Sequence, residues 1–144
     1  MKNGVQIVAT IAGLFLVLSN VACYSQVTPV HEVESWPVDP MVQLRDKSHD
    51  FYTDATPVLH QRGTGTKTFT IKSVPTDTTQ ITYYISCTPS SHYRITMGKG
   101  FNGPCSRIVQ NSGGIPLLKV SELKVQVNIP AKTNFYIVGI PENK

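Results

Sequence analysis

Apolar and polar positions alternate through much of the second half of the chain. The pattern is clearest between Lys119 and Ile129. Leu123, Val125, Val127 and Ile129 share one face there, opposite Lys124, Gln126 and Asn128. That period of two predicts a half-buried strand. Lys67 to Val74 repeats it, with Phe69 and Ile71 opposite Thr68, Thr70 and Lys72. From Gln80 to Cys87, Ile81, Tyr83, Ile85 and Cys87 fall on a core face, which leaves Tyr84 outward beside Thr82 and Ser86. Tyr93, Ile95 and Met97 form another alternating set, ended by Gly98 and Gly100. Further strands are expected over Cys105–Gln110, Ile115–Val120 and Asn134–Ile140. Pro75 to Thr79, Gly113-Gly114 and Pro130 supply the turn chemistry between them.

Short strands spaced at about 8–12 residues predict an all-β domain over residues 57–144. The expected form is a small antiparallel β-sandwich, immunoglobulin-like or similar, of about seven strands. A small open β-barrel is the alternative. A parallel sheet is excluded by the lack of room for crossover helices. Residues 26–56 predict an extended arm, because Pro29, Pro37 and Pro40 interrupt any ladder or helix. Its apolar residues, Trp36, Val38, Met41, Val42 and Leu44 among them, predict an arm packed on the domain.

Residues 1–25 have the layout of a signal peptide. Lys2 precedes an apolar stretch from Val5 to Leu18, and small and polar residues follow. The stretch is shorter than the roughly 20 residues of a membrane-spanning helix. Ala22-Cys23 resembles the end of a bacterial lipobox, which implies a lipid on Cys23; Asn20 departs from the pattern, where an apolar residue is usual. Cleavage after Ser25 instead places Cys23 and Ser25 in the small-residue slots of ordinary signal peptidase. By either route Cys87 and Cys105 remain to pair with each other. A disulfide closing that loop is worth about 3 kcal/mol in the chain-entropy model.

Composition narrows the picture. The chain has 144 residues, of which 15% are charged. That length suits one domain, and that charge excludes a highly charged disordered protein. The charge is unevenly divided. Residues 26–61 set Arg45 and Lys47 against six acids, a balance of −4, whereas residues 62–144 set ten Lys or Arg against three acids, a balance of +7. An exported basic surface would attract another envelope protein or an anionic surface such as cell wall or lipid headgroups. Nucleic acid is excluded as a partner, for want of a basic cluster with a stacking set. A membrane would be met only through the lipid anchor.

Catalytic and metal signatures are sparse. His31, His49, His60 and His92 have no metal-pair spacing, so neither metal nor cofactor is expected. No Gly-x-Ser-x-Gly elbow occurs. The string Gly98 to Cys105 lacks the order of a phosphate-binding loop and reads as a flexible hairpin end presenting Lys99 and Phe101. Trp36 and Tyr84 are the candidate aromatic contacts. The expectation is a non-enzymatic bacterial envelope protein, exported to the periplasm, the outer membrane or beyond. It would be a binding or structural accessory component of a cell-envelope or secretion assembly. A secreted hydrolase or inhibitor acting on extracellular polymer or protein is the alternative. A pocket holding His60 or His92 beside a serine and a carboxylate would favour it.

Overall fold

A computed structural model describes residues 35–117, 119 and 122–143. The signal segment, the candidate lipidation at Cys23 and the first part of the arm lie outside the described residues. The described chain forms one short helix, α1 (Pro40–Leu44), and eight strands. These are β1 (Leu59–Thr64), β2 (Lys67–Ile71), β3 (Gln80–Thr88), β4 (Ser91–Met97), β5 (Lys99–Cys105), β6 (Ser112–Pro116), β7 (Leu123–Asn128) and β8 (Asn134–Glu142). No helix among the described residues is long and apolar enough to cross a membrane.

The strands make two four-stranded sheets, in the orders β1-β8-β3-β6 and β2-β7-β4-β5. Every strand pair is antiparallel. The sheets are not closed into a barrel. One buried cluster draws on both of them, with Ile81, Tyr83, Ile85, Phe135 and Ile137 from the first and Ile71, Ile95, Met97, Val125 and Val127 from the second. The alternation of β7 is reproduced residue by residue, with Leu123, Val125 and Val127 buried and Lys124 and Gln126 exposed. The Cys87–Cys105 disulfide joins β3 of one sheet to β5 of the other, across a sequence separation of 18.

Several expectations change. Pro40, expected to interrupt any helix, instead opens the short helix α1, since a first-turn residue needs no N–H. Cys105 closes a strand rather than opening one. The strand is β5, in the segment expected as a flexible hairpin end, while Ser106–Gln110 carries no strand. Glycine makes this possible. A Cβ at Gly113 would collide with the Phe101 ring, so the ring covers the bare backbone of β6 from its place on β5. Gly98, at φ 77°, turns the chain directly from β4 into β5, a conformation that other residues adopt only with strain. The strand expected at Ile115–Val120 starts and ends earlier, as β6. Finally, β1 adds an edge strand where no alternation announces one, since only Leu59 of its six residues is buried.

Strand β3 is buried on both faces. Its odd-numbered residues enter the common core, and Thr82, Tyr84 and Ser86 are buried as well. The cover over this second face is residues 35–55. Leu44, Tyr84, Val109, Val138 and Ile140 form a second buried cluster, with Met41, Phe51 and Ala55 packed against it. The expectation that Tyr84 faces outward to solvent is therefore corrected. It points away from the main core but is only 8% exposed, with Phe51 edge-on at 5.6 Å.

Candidate functional site

Two connected features stand out: the layer that residues 35–55 make on the first sheet, and a cleft between the margins of β1 and β2. The layer is fastened mainly by amides and apolar contacts. Asp39 caps α1, its Oδ1 accepting from Met41 N at 2.9 Å, and Pro40 occupies the first turn, where a missing N–H costs nothing. Val38 N donates to Arg107 O at 2.8 Å, and Ser86 Oγ donates to Val38 O at 2.6 Å. Gln43 grips the Val109 peptide from both sides, as acceptor at 2.7 Å and donor at 3.1 Å. Its Nε2 also lies 2.9 Å from His49 Nε2. The oxygen of that amide is committed to Val109 N–H, so the amide nitrogen is the group that faces the imidazole, whose Nδ1 lies 3.3 Å from Phe51 N. Arg45 donates to the carbonyls of Thr53 and Ala55, which folds the layer back on itself.

Trp36 lies over the outer end of β1 and β8. It meets Tyr136 edge-on at 5.8 Å, and the Arg62 guanidinium carbon sits 4.8 Å from the centre of its ring. Its indole is 38% exposed, but Arg62 covers one ring face, so a flat ligand would have to displace that cation. Lys99 is exposed on β5. Phe101 is half-buried, packed edge-on against Tyr93 at 5.9 Å as well as over Gly113. Trp36, Lys99, Phe101 and Tyr84 thus stand apart, the first and last on the first sheet and the other two on an edge of the second. The fold does not gather them into one surface.

His60 comes forward instead. It stands exposed on β1, and its Nε2 lies 2.8 Å from Asp39 Oδ2, an ion pair whenever the imidazole is protonated. Nothing in the local sequence joins these residues, which are 21 positions apart; the docked arm does. His60 also lines a cleft of about 650 Å³. One wall is Thr56–Gln61, leading into β1, and the other is Thr70 with Lys72–Pro75, at and beyond the end of β2. Both strands are sheet edges. No acidic side chain among the described residues lines the cleft. A smaller hollow of about 330 Å³ holds His92 with Ser90, Ser91 and Ser106 beside the disulfide, again without a lining carboxylate.

Burial raises several tyrosine pKa values. The Tyr93 hydroxyl is pushed up to about 12, and those of Tyr83 and Tyr84 are also raised above the usual phenol value. Tyr93 donates to Asn111 Oδ1 at 3.0 Å, and Asn111 in turn donates to Pro104 O at 3.2 Å. These groups tie the β5 margin together. Among the described residues no cluster of three His, Cys, Asp or Glu side chains could hold a metal ion. Comparison of the chain with family models, with curated proteins and with solved structures finds no match.

Proposed function

We propose that this chain is a non-enzymatic, exported bacterial envelope protein, a small β-sandwich that binds or supports a partner in a cell-envelope or secretion assembly. The observation that carries the reading is the Cys87–Cys105 bond between the two sheets. Such bonds persist in oxidising compartments and are rare in the cytosol. The sandwich form is supported by the single buried cluster fed by both sheets. The layer over the first sheet supports a preorganised scaffold, since its side chains are already engaged. Several basic residues of the second half are left for a partner: Lys124 pairs with Glu122, Arg62 stacks on Trp36 and Arg107 donates to Ser35, but no described ion pair joins the arm to a lysine or arginine.

Cell fractionation followed by intact-mass measurement tests this. The expected species is in the envelope fraction, begins at Cys23 with lipid or at Gln26 without it, and lacks two hydrogens at Cys87 and Cys105. A full-length chain in the cytosol with both thiols reduced would overturn the reading.

One observation favours the hydrolase alternative. Asp39 and His60 form a carboxylate–imidazole pair at a cleft that Ser73 also lines. The described hydrogen bonds include none from Ser73 to His60, and nucleophile activation needs one of about 3 Å. A fluorophosphonate that labels Ser73 in wild type but not in His60→Ala would establish the hydrolase. Absence of an adduct in both would remove it.

A further inference from the structure

We propose that the cleft between the margins of β1 and β2 binds an anionic sugar, with Lys72 meeting the acidic group. The inference goes beyond residence in the envelope and stands wherever the protein resides. The cleft volume of about 650 Å³ suits a ligand of one or a few sugar rings. Its polar groups are of two kinds. Thr56, Thr70 and Ser73 bring hydroxyls, and Gln61 brings an amide, all able to donate and accept. Among the described residues Lys72 brings the one permanent cation of the lining, and it takes part in no ion pair.

A ligand that satisfies this set carries one anionic group and several hydroxyls. A bare anion would leave the hydroxyls and the amide unused. A neutral sugar would leave the ammonium without a counter-charge, in a cleft with no carboxylate on its walls among the described residues. Pro57 and Val58 on one wall and Val74 and Pro75 on the other offer apolar surface to the C–H face of a ring. His60 adds an imidazole whose orientation is held by the bond from its Nε2 to Asp39. A uronate and a sugar phosphate share this chemistry.

The test is an amide-shift titration of the disulfide-intact protein with glucuronate, glucose 1-phosphate, glucose and inorganic phosphate. Saturating shifts at residues 60, 61, 72 and 73 are expected with glucuronate, glucose 1-phosphate or both, and which one responds identifies the acid. Glucose and inorganic phosphate are expected to bind at least roughly tenfold more weakly, the difference between a charge-assisted set of bonds and a partial one. Lys72→Gln, at an exposed position, should weaken the anionic sugars roughly tenfold and leave distant amides unmoved. Three results would each overturn the proposal: no shift with either anionic sugar, an equal response to glucose or to inorganic phosphate, or an unchanged affinity in Lys72→Gln.

Discussion

The side-chain amide of Gln43 meets the Val109 peptide as a neighbouring strand would, accepting from its N–H at 2.7 Å and donating to its carbonyl at 3.1 Å. Both residues are buried, so water does not replace either bond easily. Gln43→Ala should therefore cost about 2–3 kcal/mol, because a buried peptide group loses its partners at both ends. Gln43→Glu should cost a similar amount, since it sets a second acceptor against Val109 O. Denaturant midpoints measure the loss. Limited proteolysis should show earlier cleavage within residues 35–56 of either variant.

The disulfide gives a second expectation. Replacing Cys87 and Cys105 together by Ala should lower stability by about 3 kcal/mol, the loop-closure value for its separation of 18 residues. The bond ties one sheet to the other, so local strand pairing should survive its loss and the contact between sheets should loosen. Urea unfolding of the oxidised and reduced wild-type protein gives the same comparison without mutation.

A third expectation concerns Gly113, whose missing side chain leaves space for the Phe101 ring. Gly113→Ala forces the ring aside and should cost about 1–3 kcal/mol. Phe101→Leu in the same molecule should recover part of that loss, since the two positions share one contact. A double-mutant cycle in denaturant reads the coupling directly. Additive effects would show that the ring does not bear on this glycine.

High pH supplies a fourth. Burial holds Tyr93 protonated up to about 12, whereas the same group in an unfolded chain ionises near the ordinary phenol value of 10.0. Between those values the unfolded chain releases a proton that the folded one keeps. This contribution to stability is thus complete below pH 10 and is lost as pH rises toward 12. The buried hydroxyls of Tyr83 and Tyr84 act in the same direction. Absorbance titration near 295 nm should show tyrosines that ionise late and cooperatively with unfolding; simple titration of every tyrosine near pH 10 would contradict this.

The sequence made some strands plain and hid others for physical reasons. Strands β3 and β7 are central, and each buries a regular row of apolar residues that alternation reveals, while the central β8 shows itself by a nearly continuous apolar run. Strand β1 is an edge with a single buried residue, so it leaves little periodic trace. Strand β5 (KGFNGPC) reads as a loop, because its fitness for a sheet margin depends on Gly113, on another strand. The cover over Tyr84 depends on Leu44, Met41 and Phe51, distant in the chain, and a polar-looking strand face could not disclose it. The short helix within that cover did have a local sign, since Asp39-Pro40 is a cap followed by a first-turn proline. The candidate cleft was less legible still. His60 was visible as a residue, but its pairing with Asp39 and its place opposite Lys72 and Ser73 arise only when the arm and two edges converge.

The double cover on β3 also fixes an order of events. The seat for Leu44 includes Val138 and Ile140, which the ribosome makes long after it. Residues 35–55 therefore leave the ribosome, and on an amino-first route cross any membrane, well before their resting place has been made. They must wait for the far end of the chain, and until β8 arrives Leu44 and Met41 are oily groups exposed to whatever escort the cell provides.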